Sequence, residues 1–264
     1  MDVVLPTHYR PDRLNSTLSG LLLQELHEPA RLLLVENGDP PVTQHRQIGK
    51  LIAALRSKGW RVEVHPCGES GIATIKQYGM SLVDSTSAVL VDNDVVFTRH
   101  NTLLRLEWVL QNYDVAVASP LAFDVDGERP VLNEYAYMYR LVAPDEQGVS
   151  EGNIALGLCL AIVREDYECV KHLVCPELPY MEDQILVHFL KKRRGYAFLH
   201  DQIIYHVSYA GDNSYVFDDK EVVQFLEAKA ADCPEYGSLL ALRRDLKDGA
   251  DFSKPIRRLP QCGT

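Results

Sequence analysis

Ala88-Val89-Leu90-Val91-Asp92-Asn93-Asp94-Val95 runs from four apolar residues straight into two carboxylates two positions apart. A short apolar run that ends in polar turn formers reads as a strand and its exit. Side chains alternate along an extended backbone, so that spacing puts Asp92 and Asp94 on one side. Two hard oxygen donors so placed suit Mg²⁺ or Mn²⁺, ions that bridge the phosphates of a nucleoside diphosphate. Asp and Asn are also favoured turn residues, and an ordinary turn explains the same three positions.

On the N-terminal side of this stretch, strand-like and helix-like segments alternate. Val3 to Pro6 is strand-like, and Leu14, Leu18, Leu21 and Leu22 follow at helical spacing after Pro11-Asp12. Arg31 to Glu36 is a second strand, Asn37-Gly38-Asp39-Pro40-Pro41 a turn cluster, and Ile48, Leu51, Ile52 and Leu55 one face of a helix that stops at Gly59. Trp60 to Val64 is a third strand, and Ile72 to Val83 is helical. Beyond the acidic turn come a helix through Leu103, Leu106 and Leu110 and a strand at Val115 to Ser119. This order predicts a largely parallel sheet with helices on both faces, its first 120 residues being the repeated β-α-β half typical of nucleotide-binding sheets.

The remainder is less regular. Leu121 to Gly152 reads as turns and short strands that cover a cleft, and Ile154 to Val163 as an apolar strand. An amphipathic helix spans Met181 to Arg194, two strands lie near Tyr196 to Leu199 and Ile203 to Val207, and helices at Asp219 to Ala231 and Gly237 to Leu246 close the chain. The expected organisation is one domain over 1–264: a nucleotide-sugar-binding half at 1–120, an acceptor and catalytic half at 121–210, and a C-terminal helical extension at 211–264.

Composition excludes several classes of function. The 264 residues carry a net charge of −10, which argues against unaided binding to the phosphates of nucleic acid. The basic run Lys191 to Arg194 reads as the solvated end of an amphipathic helix. The six cysteines lack the paired spacing of a zinc or redox site, so reduced thiols are expected. No basic start and apolar core of a signal peptide opens the chain, and Ile154 to Val163 falls far short of the roughly 20 residues that span a bilayer. A soluble, cytoplasmic protein is the expectation.

Ligands of open α/β sheets gather beyond the carboxyl ends of the strands. Pro6, Thr7, His8 and Tyr9 arrive there after the first strand, Glu36 and Asn37 after the second, Gly68 to Gly71 after the third, and Asp92, Asn93 and Asp94 after the fourth. The spacing of Gly68 and Gly71 forms neither the dinucleotide fingerprint nor a P-loop. Lys76 is either a surface lysine or a point charge for a diphosphate. Glu182 and Asp183 open a helix, where acids favour the helix dipole; the alternative for Asp183 is a general base that deprotonates an acceptor hydroxyl, with Glu182 orienting that acceptor. His206 is either a hydrogen-bonded strand-end residue or a third metal ligand.

Taken in order, these segments resemble glycosyltransferase family 2, over roughly residues 1 to 210. Val3 to Leu14 is similar to the family's opening strand and loop, Leu34-Val35-Glu36-Asn37-Gly38 to its second-strand signature, and Gly71 to Gly79 to its glycine-to-Arg/Lys-Asn segment, with Gln77 in place of Asn. Asp92-Asn93-Asp94 matches the D-x-D motif, and Glu182-Asp183-Gln184-Ile185-Leu186 resembles the acidic motif that supplies the base. The resemblance implies a GT-A fold, a Rossmann-like mixed sheet flanked by helices, with C-terminal helices behind it. It implies inverting transfer from a nucleotide sugar, a uridine diphosphate sugar by default, with a divalent cation (Mn²⁺ or Mg²⁺) as cofactor. Donor contacts then fall to Pro6, Thr7, Tyr9, Glu36, Asn37, Gly71, Lys76, Asp92 and Asn93, metal contacts to Asp92, Asp94 and His206, catalysis to Asp183 and acceptor binding to Glu182. The acceptor hydroxyl is of open class: saccharide, lipid-linked glycan, small metabolite or modified nucleobase. Two rival readings are a sugar-phosphate nucleotidyltransferase, whose glycine-rich basic opening loop is missing here, and a degenerate sugar-nucleotide-binding protein.

Overall fold

A computed structural model describes residues 1–8, 10–68, 71–126, 129–132, 143–152, 157–175, 182–207, 219–234, 236–238 and 240–241. Strands β1 (Asp2–Thr7), β2 (Arg31–Glu36), β3 (Arg61–Pro66) and β4 (Ser87–Val91) alternate with helices α1 (Pro11–Leu23), α2 (Arg46–Ser57) and α3 (Ile72–Ser81). These four strands pair in parallel, with Thr7 opposite Glu36, Glu36 opposite Pro66 and Val4 opposite Leu90. Their carboxyl ends therefore lie side by side. Pro11 starts α1, where a missing N–H costs nothing because the first turn has no partner for it.

After β4 the chain makes β5 (Val95–Phe97), α4 (Thr102–Asn112), β6 (Val117–Asp126), β7 (Arg129–Leu132), β8 (Val149–Glu151), β9 (Cys159–Val163), α5 (Arg164–Val170), α6 (Glu182–Arg193), β10 (Tyr196–His206) and α7 (Asp219–Asp232). The described strands form one mixed sheet in the order β3-β2-β1-β4-β9-β6-β10-β5, with β7 on β6 and β8 on β10. β9 is antiparallel to both β4 and β6, and β10 is parallel to β6 and antiparallel to β5. The sheet is thus mixed, with parallel pairing confined to its first four strands and to the β6–β10 pair.

Several segments differ from their sequence reading: β5 was not expected, and Gly157 and Leu158, expected within a strand from Ile154 to Val163, form a turn ahead of β9. Leu121 to Asp126, expected among turns and short strands, continues β6, because β10 lies alongside as far as the pair Asp124 and His206. The two short strands expected near Tyr196 and Ile203 are one strand with a register shift between Leu199 and Ile203, and such irregularities bend a strand. The bend joins two pairings: β10 carries β8 on its first half and β5 on its second. The helix α5 was not expected at all. Tyr9, Glu69, Ser70, Tyr180, Met181, most of the expected cover between 127 and 142, and much of the C-terminal extension lie outside the described residues.

Alternate residues of the strands feed two cores. Val4, Leu33 and Val35 pack under α3, α5, α6 and α7, whereas Val3, Leu5, Leu32 and Leu34 pack under α1, α2 and α4. At the end of α6, Lys192, Arg193 and Arg194 are solvent-exposed, as expected of a solvated helix end, and Arg193 and Arg194 pair with buried Asp166 while Lys191 pairs with Glu151. No helix among the described residues is long and apolar enough to cross a membrane. The described cysteines 67, 159, 169, 175 and 233 are free thiols.

Helix α3 approaches β1 and β2 closely because it presents Gly79 to them. A Cβ there would lie 2.5 Å from Val4 Cγ1 and 2.9 Å from Val35 Cγ2, both on fully buried, β-branched strand residues. Alanine gains up to about 1 kcal/mol in helix propensity, but forced overpacking costs about 1–3 kcal/mol. Gly79→Ala is expected to lower the urea midpoint of unfolding, with the slope unchanged.

Candidate active site

The turn Asp92-Asn93-Asp94 joins β4 to β5, and it is not extended. Its two carboxylates meet different partners. Asp92 Oδ1 lies 3.0 Å from Lys76 Nζ, while Asp94 Oδ2 lies 3.4 Å from His206 Nε2 and 3.5 Å from Arg13 Nη1. The β10 ladder carries His206 there: it stands directly opposite Val95, and Val207 N donates to Asp94 O at 2.9 Å.

Lys76, on α3, is 6% exposed and also binds Glu182 Oε1 at 2.7 Å. Burial alone would strip its proton, but the charges of Asp92, Glu182 and Asp183 reverse that effect and hold it an ammonium ion. Burial pushes the Asp92 carboxyl up, Lys76 pulls against it, and Asp94 and Glu182 add to the rise. Burial acts upward on Asp94 too, but the hydrogen bond and charge of His206, with Arg13 and Arg10, outweigh it and hold Asp94 below its usual range.

Asp183 follows Glu182 at the start of α6, and its Oδ2 accepts a hydrogen bond from Gly157 N at 2.5 Å. Burial and the neighbouring Glu182 raise its pKa to about 7, against the opposing pull of Lys76 and the backbone N–H groups of Gln184 and Gly157. Gly157 has to be glycine. A Cβ on it would collide with the Asp183 side chain, reaching 2.7 Å from Oδ2.

The other residues expected to contact a donor lie along the strand ends. Pro6 and Thr7 end β1, and the Thr7 hydroxyl is buried without a hydrogen-bond partner among the described residues. Glu36 accepts from Thr43 N at 2.8 Å and from the Thr43 hydroxyl at 3.1 Å, so its carboxylate fastens the turn after β2. Asn37 is linked through its N–H to Thr7 O at 2.9 Å. Gly71 begins α3 at φ 99°, a left-handed conformation that side chains resist. Gln77 Nε2 donates to Val174 O at 2.8 Å, tying α3 to the chain that leads toward α6. Tyr9 lies outside the described residues.

The sequence reading missed the polar stripe of α1. Arg13, Thr17, Gly20 and Gln24 recur at helical spacing beside the leucine face. Thr17 Oγ1 donates to Val95 O and accepts from Val95 N, both at 3.0 Å, and Gly20 leaves room for Phe97. Gln24 accepts from Leu103 N at 3.2 Å and donates to Arg99 O at 2.8 Å. Their three- and four-residue spacing was legible, but polar residues on a buried face carry no periodic apolar signal.

Among the described residues no three His, Cys, Asp or Glu side chains gather into a ready metal cage. Asp94 and His206 nonetheless offer a carboxylate oxygen and an imidazole nitrogen to one point. That pair fits a divalent ion which takes its remaining ligands from a substrate and water, as Mg²⁺ does.

No protein-family profile and no curated protein matches this sequence. Solved structures do. S. aureus TarS residues 1–349 with UDP-GlcNAc aligns at TM-score 0.60 and 14% identity, over 96% of this chain and 67% of that one. GalNAc-T7 with UDP, GalNAc and Mn²⁺ aligns at TM-score 0.60 and 13% identity, over 93% and 54%. The chain spans 36% of the longer TarS chain in another structure of that protein. The fold is therefore the GT-A fold of glycosyltransferases.

Removing the shared ammonium leaves the buried carboxylate of Glu182 and the half-buried one of Asp92 uncompensated, which costs up to about 3–5 kcal/mol. Lys76→Met is expected to lose that much stability in urea denaturation, and adding Glu182→Gln is expected to recover part of it.

Proposed function

We propose that this protein is an inverting glycosyltransferase that moves a sugar from a nucleotide-diphosphate donor, a UDP-sugar, to an acceptor hydroxyl. The observation that carries the reading is the convergence of Asp92, Asp94, Glu182 and Asp183 around buried Lys76 and His206. They meet at the carboxyl end of a GT-A sheet, and solved structures of that fold contain UDP, UDP-GlcNAc and Mn²⁺.

In this reading Pro6, Thr7, Glu36, Asn37 and Gly71 border the nucleoside, Tyr9 is a further donor contact, and Asp92 and Asn93 face the donor. Asp94 and His206, with Asp92 beside them, would hold a divalent ion, which would supply positive charge for a departing diphosphate. Lys76 adds a fixed ammonium that bridges Asp92 and Glu182 and offsets their mutual repulsion. The Asp183 carboxylate takes the proton of the acceptor hydroxyl as that oxygen attacks the anomeric carbon, and Glu182 helps seat the acceptor. A base with a pKa of about 7 suits this task, because it is free to accept a proton near neutrality and is still basic enough to pull one. Preorganised charge and positioning supply the greater part of the barrier reduction.

Asp183→Asn keeps the side chain's shape and its hydrogen bond from Gly157 but cannot take a proton. Transfer from a UDP-sugar, measured by release of UDP in the presence of Mn²⁺ and acceptor, is expected to fall on the order of 10²–10⁴-fold, with donor binding retained. Normal turnover by this variant removes Asp183 from the mechanism. The wild-type rate is expected to climb as pH rises through about 7, because Asp183 is active only after losing its proton. A rate flat between pH 5 and 8 contradicts that role.

A further inference from the structure

We infer that Arg13 makes metal binding depend on the nucleotide: its guanidinium guards Asp94, so the divalent ion enters with the donor's diphosphate and not ahead of it. This rests on the assignment of Asp94 and His206 to the metal. Arg13 sits on the first turn of α1, 7% exposed, with Nη1 3.5 Å from the same Oδ2 that faces His206. The helix that carries it is fixed to the turn, since Thr17, one turn further on, is hydrogen-bonded in both directions to Val95, the residue after Asp94. The backbone of Arg13 is thereby fixed beside the turn, and its side chain, 7% exposed, is packed against Asp94.

An ion bound to Asp94 Oδ2 stands within a few ångströms of this permanent cation. The repulsion of a double and a single positive charge at that range, in a partly buried site, is worth a large factor in affinity. The anionic diphosphate cancels it by placing negative charge against both. Metal and nucleotide must then strengthen each other's binding by the same factor, and Arg13 sets its size.

The test is titration of the whole protein with Mn²⁺, following the electron paramagnetic resonance signal of free Mn²⁺, with and without UDP. The wild type is expected to bind Mn²⁺ weakly alone and on the order of tenfold or more tightly with UDP. Arg13→Gln is expected to bind Mn²⁺ alone on the order of tenfold more tightly than the wild type, with the gain from UDP reduced to match. A residue of merely structural importance would weaken binding when replaced, not strengthen it. Arg13→Met fills the same volume without the charge and carries the same expectation, so misfolding of the glutamine variant leaves the test standing. Unchanged or weaker Mn²⁺ binding by folded Arg13 variants, with binding lost in Asp94→Asn, overturns the inference alone. Binding retained by Asp94→Asn overturns it together with the metal assignment.

Discussion

Three residues connect β4 to β5, and that short link constrains everything around it. Val91 and Val95 can stand at most about 14 Å apart across it. Within the sheet, however, the path from β4 to β5 passes through β9, β6 and β10. Both statements hold only if the far end of the sheet curls back toward the middle. The shift in β10 between Leu199 and Ile203 lets it curl, and the stripe of Arg13, Thr17 and Gly20 on α1 receives the returning strand. Asp92-Asn93-Asp94 is consequently the closure of the sheet as well as the centre of the site. A strand end that merely turned into solvent would have no such rigidity.

The closure also sorts the charges. Asp92 leaves β4 facing α3 and α6, where Lys76 joins it to Glu182 from the other half of the chain. Asp94 enters β5 facing α1 and β10, where Arg13 and His206 meet it. Each acid of the turn thus has its own cation, and Asp183 is left beside Glu182 with only hydrogen bonds from backbone and the more distant Lys76 to support its charge. That imbalance, with burial, raises the Asp183 carboxyl to about 7. Charge fixed in a partly dry cleft before any substrate arrives is the form of preorganisation that stabilises developing charge most effectively.

Much of this was legible in the sequence because it is local. The apolar runs of β1, β2 and β4, the leucine face of α1 and the amphipathic face of α2 announce themselves at the period of the structure they form. The placement of polar residues just past the strand ends follows from parallel pairing alone. The long strands β6 and β10 were less readable, since Pro120 and the polar His200-Asp201-Gln202 look like breaks when nothing shows the neighbouring strand that continues through them. Arg13 and Gly157 gave no signal as single residues. One is a charged helix residue and the other a glycine in an apolar run, and each acquires its meaning only from a partner far along the chain.

By itself the sequence determined the alternation of strands and helices, the buried faces, and which acids and which lysine and histidine stood at strand or helix ends. Those features depend on a residue and its near neighbours, through periodicity and turn chemistry. Only the tertiary structure decided that Asp92 and Asp94 part company, that Lys76 spends its charge on two carboxylates, and that Arg13 stands at Asp94. These outcomes depend on distances between segments up to 112 positions apart, as between Asp94 and His206. Such distances are fixed by sheet order, the bend in β10 and the seating of α1, and no local pattern encodes them.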